Sequence, residues 1–267
     1  MNSHSLDRCG TWAIFMLWGA FHGDVTSGAP AFLPYNTPLR LPMLFKKQTY
    51  STQAAEYIRG LIRTGQLSPG DPVREAAITE KLHISRAPVR EALLLLGQQG
   101  LIESEPQKGK YVRTMSPREI YESYVVAGIL EGAGVAQSIH LWGKSENEAF
   151  ANALRNLEEQ SSHAIQQGTL ASVDDLFHTT LLSTCTNARL IELARTNCTS
   201  LAKFLYYNEW KTLFTPHEFH DRHHIIAEAV ATRDPWHIET TLRQHYEEVG
   251  MRLSEQVKRQ IGDNQDS

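Results

Sequence analysis

The sequence predicts a mainly α protein in two parts: a small helical unit that ends in a β-hairpin, and a larger all-helical bundle behind it. Three observations carry that prediction. Apolar residues recur at helical spacing through most of the chain, strand-like runs flank a Pro/Gly turn only near 102–112, and charge divides between the two parts. Residues 44 to 113 carry 11 Lys/Arg against 7 Asp/Glu, whereas 114 to 267 carry 13 against 21. The basic front part implies an anionic partner. A chain of 267 residues, 41% of them hydrophobic, has enough material for two modest domains with ordinary cores.

Residues 1–43 read as an extension. The apolar run "CGTWAIFMLWGAF" after Arg8, with "APA" at 29–31, loosely matches a secretory signal and is too short to span a bilayer. Because everything downstream reads as nucleic-acid machinery, the preferred reading is a start called too early, with translation beginning at Met43. An amphipathic extension and a functional signal are the alternatives. The cysteines Cys9, Cys185 and Cys198 are odd in number and widely spaced, which rules out a disulfide framework or a CxxC zinc site and fits a reducing cytoplasm.

The front part, 44–113, is justified element by element. Ala54, Tyr57, Ile58, Leu61 and Ile62 follow the period of a helix with one buried face, and "GQLSPGD" ends it. A short helix fits 75–82 and is closed by "HIS". Ser85 is a natural N-cap for the next helix, its hydroxyl able to accept a free backbone N–H. Pro88 costs little there, because first-turn N–H groups have no helical partner. That helix, "RAPVREALLLLGQQG", turns Val89, Ala92, Leu93 and Leu96 inward and leaves Arg86 and Arg90 together on the outer face. Guanidiniums in that position can reach phosphates or the O6/N7 edge of guanine. "LIESEPQKGKYVR" then reads as two short strands about a turn with Pro106 and Gly109, flanked by Lys108 and Lys110. The sum is a winged helix-turn-helix; a solvated basic face on an unrelated bundle is the blander alternative.

The stretches "YIRGLIRTGQLSPGDPV", "EKLHISRAPVREALLLLGQQGLIE" and "KGKYV" resemble, nearly end to end, the DNA-binding domain of GntR-family bacterial transcription factors. The resemblance implies that Arg86 and Arg90 enter the major groove, that Ser85 or neighbouring backbone holds phosphate, and that Gly109 lets the wing, with Lys108, approach the minor groove. One position departs from the family pattern. Where relatives often carry a further DNA-contacting arginine, ten residues before Arg86, this chain has Ala76, which implies a different operator preference.

The back part, 114–260, reads as about six helices, with 261–267 as a tail. "SPRE" at 116–119 is a capping box with Pro at the first helical position, and "DP" at 234–235 repeats the cap-plus-proline signature. "SVDDLFHTTLL" places Asp174 and His178 on one helical face beside Leu170, Phe177 and Leu181, where they can share a cation. Ile238, Leu242, His245, Val249 and Leu253 also keep the helical period, so His245 faces the core. A lone core-facing histidine is ordinarily structural; three such helices together point to a site.

"FTPHEFHDRHH" supplies the third. At about 100° per residue, Phe219, His223, Ile226 and Val230 share one stripe, while His220, His224 and His217 lie at about 100°, 140° and 160° from Phe219, toward a solvated face. "DDLFHTTLLSTCTNARL", "HHIIAEAVATRD" and the histidine eleven residues after Asp234 resemble the FCD ligand-binding domain of the FadR subfamily. The resemblance implies an FCD-type bundle whose metal ligands are Asp174, His178, His223 and His245, a donor set suited to Zn²⁺, Ni²⁺ or Fe²⁺. Asn187 also matches, as an effector contact or a helix cap. A second departure is Ala127, four residues before Glu131, where the family usually carries an arginine.

The expected function follows. The chain reads as a cytoplasmic homodimeric regulator, a repressor, that binds a palindromic operator in double-stranded DNA. A small organic or sugar acid at the metal shifts the two heads, and no membrane is involved. Two alternatives are a metal-free anion-sensing regulator and a metal-dependent hydrolase; the latter needs a general base that the sequence does not offer.

Overall fold

The computed structural model describes residues 49–167, 170–194 and 199–265. The N-terminal apolar run, Met43, Cys9, Gly168 and Cys198 lie outside the described residues. The front part contains α1 (Tyr50–Arg63), α2 (Glu75–Leu82), α3 (Arg86–Gln98), β1 (Ile102–Glu105) and β2 (Gly109–Val112). α1 starts earlier than its apolar period, because Thr49 caps it by accepting from Thr52 N at 3.1 Å. Its buried Ala54, Ile58 and Ile62 face Val89, Ala92, Leu93 and Leu96 of α3, all buried. The C-cap of α2 is His83 in the left-handed region, at φ 53°, which sets the sharp turn into α3.

The strands pair antiparallel with Ile102 opposite Val112 and Glu105 opposite Gly109. At φ 117° Gly109 occupies backbone space closed to other residues, although nothing stands within 4 Å of a Cβ there. Residues 70–73 also dock on β2, an unexpected addition: Val73 N donates to Lys110 O at 2.8 Å and Val112 N to Asp71 O at 2.9 Å. Pro72, with no N–H, hides that pairing from a pattern search.

The back part holds α4 (Pro117–Ser138), α5 (Lys144–Gln167), α6 (Leu170–Leu181), α7 (Ala188–Leu193), α8 (Thr199–Leu205), α9 (Tyr207–Trp210), α10 (Pro216–Thr232) and α11 (Pro235–Gln265). These exceed the six or so expected, because α7 and α9 are too short to display a period. Likewise α11 runs on through most of the expected tail. Both halves of the Ser116/Glu119 capping box form, and Thr215 with Glu218 makes a second one at the start of α10. Asp234 Oδ1 accepts from Trp236 N at 3.0 Å, as the cap-plus-proline signature requires. Among the described residues no helix is long and apolar enough to cross a membrane.

The bundle is built on α4 and α11, which run antiparallel in close contact because glycine removes the side chains between them. A Cβ on Gly128 would stand 3.0 Å from Tyr246 Cβ, one on Gly132 3.1 Å from Glu239 O, and one on Gly250 2.7 Å from Tyr124 Cβ. Gly132→Val is therefore expected to cost about 1–3 kcal/mol by overpacking, read as a melting temperature lowered by about 2–12 °C. Gly60→Ala, on α1 with open space around its Cβ, is expected to stabilise by up to about 1 kcal/mol through helix propensity alone.

Candidate functional site

The outer face of α3 forms the first candidate surface. Ser85 occupies the N-cap position, but its hydroxyl makes no capping hydrogen bond, contrary to the expected cap, and it stays exposed. Arg86 and Arg90 are exposed, and Glu75 of α2 braces Arg90 Nε at 2.9 Å, so that guanidinium is oriented before any ligand arrives. On the hairpin Lys108 is exposed beside Glu105 at 2.9 Å, and Tyr111 donates from its hydroxyl to Lys108 O at 3.1 Å. Helix face and hairpin thus present cations in the arrangement that fits a phosphate backbone and groove.

The second candidate is buried in the bundle. Asp174 and His178 come from α6, His223 from α10 and His245 from α11, each less than a tenth exposed. One nitrogen of each of the three histidines lies within 4.8 Å of the others. Asp174 Oδ1 stands 3.1 Å from His223 Nε2 and 3.9 Å from His178 Nε2. Two rings are oriented from behind. His223 Nδ1 donates to Phe219 O at 2.6 Å, and His178 Nδ1 lies 2.7 Å from Glu131 Oε1. Both arrangements leave Nε2 facing the centre, the outer-shell support a metal-binding imidazole requires. Tyr246 completes the support by donating to Glu131 Oε2 at 2.9 Å.

His245 differs. Its Nδ1 faces Arg222 Nη2 at 3.4 Å, and that guanidinium donates to His245 O at 2.9 Å. Ligation through Nε2 needs a proton on Nδ1, so the long contact to Arg222 has to give way. Burial, with the Arg222 charge adding to it, holds the His245 pKa well below its ordinary value and keeps the ring neutral. Burial also lowers His223, partly opposed by Asp174. Burial opposes charge on His178 too, but Glu131 outweighs it and raises the pKa, so a metal there displaces a proton. Three imidazoles and a carboxylate, with the remote atoms of His178, His223 and Asp174 tied to the protein, fit a first-row divalent metal.

Several residues of this site escaped the sequence reading. Lys203 of α8, buried, donates to Asp174 Oδ2 at 2.7 Å and also reaches Asp175. Burial would raise the Asp174 pKa, but the Lys203 charge prevails and holds it well below the usual carboxylate range. A cavity of about 210 Å³ opens beside these groups, lined by Tyr124, Glu131, Lys203 and Arg222 as well as by the three histidines. The buried hydroxyl of Tyr124 makes no hydrogen bond. Glu131 and Lys203 did leave a signal, since each is a lone charge within an apolar helical run, "VVAGILEGAGVA" and "SLAKFLYY". A buried charge of that kind must have a partner. Asn187 lies elsewhere: it caps α7, its Oδ1 accepting from Leu190 N at 3.0 Å, and it is absent from the cavity wall.

Residues 50–112 match the family of bacterial regulatory proteins called gntR, and residues 122–248 match the FCD domain. A protein of Agrobacterium vitis, named an uncharacterized HTH-type transcriptional regulator in the TAR-I ttuE-ttuC' intergenic region, is 35% identical over 129 residues, 47% of this chain and 75% of that protein. The HTH-type transcriptional repressor RspR of Escherichia coli is 27% identical over 203 residues, 75% of this chain and 85% of that protein. Among solved structures, a GntR transcriptional regulator from Rhodococcus sp. RHA1 superposes with a TM-score of 0.60 at 25% identity, covering 77% of this chain and 98% of that one.

Removing one member of the buried ion pair has a clear expected cost. In metal-free protein Asp174→Asn leaves the Lys203 ammonium with the exposed Asp175 and the face of Trp210, a loss of about 3–5 kcal/mol on denaturant unfolding. Combining it with Lys203→Met is expected to recover much of that loss, so the two substitutions do not add.

Proposed function

Because the chain belongs to the GntR family of bacterial regulatory proteins and carries an FCD domain, we propose that it is a metal-containing repressor whose operator binding responds to a small organic or sugar acid. Family membership makes it a DNA-binding transcriptional regulator rather than an enzyme. The sign of regulation, the metal and the acid are the proposed refinements. On this reading residues 44–113 bind DNA and 114–260 bind metal and effector and form the homodimer. A FadR-type, cytoplasmic dimer then meets a palindromic operator through its two-fold axis. Exposed Val126 and Ile129 on α4 provide apolar surface for the second copy. The repressor named among the relatives supports the sign of regulation.

The observation that carries the effector reading is the turn of chain from α8 into α9, which touches both ends of the signal. One turn separates Lys203, in the cavity wall, from Tyr206, whose hydroxyl accepts from Met115 N at 2.9 Å and donates to Met115 O at 3.0 Å. Met115 is the segment between the hairpin and α4. A bound carboxylate competes with Asp174 for Lys203, finds Arg222 and the free Tyr124 hydroxyl in the same cavity, and so displaces α8 against the linker. A bound divalent metal, held by Asp174, His178, His223 and His245, supplies a further positive centre for the acid. Such coupling requires the acid to prefer one of two arrangements of α8.

Arg86→Ala and Arg90→Ala are each expected to weaken operator binding by about 1–3 kcal/mol, roughly 5- to 150-fold, in a mobility-shift titration at fixed salt; unchanged affinity for both would remove α3 from the interface. Elemental analysis of purified protein is expected to find about one tightly held metal per chain that His223→Ala abolishes. If an acid found by ligand screening weakens operator binding, Tyr206→Phe is expected to preserve acid binding by calorimetry while bringing the operator affinities with and without acid toward equality. Full retention of the acid effect in that variant overturns the α8 route.

A further inference from the structure

Two of the α10 histidines that turn away from the buried centre meet a neighbouring helix. His220 Nε2 lies 3.0 Å and His224 Nε2 2.8 Å from the same oxygen, Oε1 of Glu158 on α5. The two imidazoles stand 4.6 Å apart, centroid to centroid, and the three donor atoms fall within 4.8 Å of one another. We propose that Glu158, His220 and His224 form a second divalent-metal site, on the outer side of α10 and independent of the buried one.

The donor spacing suits an ion. Ligands about 2.0–2.1 Å from Zn²⁺ at tetrahedral or octahedral angles stand roughly 2.9–3.4 Å apart, close to the two nitrogen–oxygen separations observed. Small side-chain rotations would admit the ion. His220 and His224 are one turn apart on one face of a seventeen-residue helix, the i, i+4 pairing through which two imidazoles reach a shared ion. The far nitrogen of His220 is 3.4 Å from Asp221 Oδ1, and Asp221 also holds His217 Nδ1 at 2.6 Å. Asp221 therefore favours the His220 tautomer that leaves Nε2 able to ligate. All three ligand residues are part-buried, so the remaining coordination positions open to water. Two imidazoles and one carboxylate suit Zn²⁺, Ni²⁺ or Cu²⁺. Such an ion fastens α5 to the helix that presents His223 on its inner side.

Zinc titration of the full chain, stripped with chelator and followed by calorimetry, tests this assignment. The wild type is expected to bind two equivalents per chain. His220→Gln combined with His224→Gln, and separately Glu158→Gln, should remove the weaker equivalent and keep the tighter one, and His223→Ala should do the reverse. If the wild type binds a single equivalent that the His220/His224 variant loses and His223→Ala retains, the outer site stands and the buried one fails. If the His220/His224 variant binds as many equivalents as the wild type, the outer site is wrong. Thermal unfolding in chelator, expected to be within about 2 °C of wild type for these part-exposed positions, shows that a lost equivalent is not a lost fold.

Discussion

The carboxylate of Asp174, buried in the wall of the cavity, is the constraint around which the bundle is organised. An isolated ionised carboxylate in such a place costs several kcal/mol, so the chain pairs it with a buried ammonium and encloses it among imidazoles. Lys203 approaches one oxygen from α8, and His223 of α10 approaches the other, with His178 from its own helix alongside. His178 passes the requirement on to Glu131 of α4, itself buried, and Glu131 is satisfied in turn by Tyr246 of α11. One charge thus fixes the relative positions of α4, α6, α8, α10 and α11. The glycine contacts between α4 and α11 serve the same end, because only a close approach at Gly128 lets Glu131 and Tyr246 meet.

The same arrangement explains how a buried site could be felt at a distant surface. α8 is short and contributes Lys203 to the network, and Tyr206, the turn residue that directly follows it, holds the linker, with the apolar Ala202 and Leu205 buried beside them. A short helix held by an ion pair, and followed at once by a residue hydrogen-bonded to the linker backbone, carries both anchorages within one turn of chain. Its two anchorages therefore cannot be perturbed independently, which is the minimum physical requirement for coupling between sites.

Local chemistry made the front part legible in the sequence, since helix period, a turn before Ser85, and the Pro106 to Gly109 turn each act within a few residues. Apart from the Ser85 hydroxyl, which makes no cap, its surprise is the docking of 70–73 on β2, a long-range pairing that Pro72 disguises. In the back part the register of α6, α10 and α11 placed Asp174, His178, His223 and His245 on inner faces, where the structure brings them together. Arg222 escaped because a cation in a helical run is ordinarily surface, and only tertiary packing shows that it is enclosed, whereas Lys203 stood alone in an apolar run. The missing arginine at Ala127 belongs to the same lesson. The cavity has its cations after all, but they arrive from α8 and α10 rather than α4.

The density of histidine on α10 separates, on these grounds, into different chemistries set by angle. His223 shares the stripe of Phe219, Ile226 and Val230, so its ring is buried and its second nitrogen is tied to Phe219 O. His220 and His224 sit to one side of that stripe, part-exposed but against α5, and Glu158 collects both. The expectation of a solvated face held fully for His217, which is exposed and paired with Asp221, and in part for His220 and His224. A wheel drawn from one helix identifies what faces its core but has no way to represent a second helix lying against its flank. Glu158 stands 62 residues from His220 in sequence, so that distinction could only come from the packed structure.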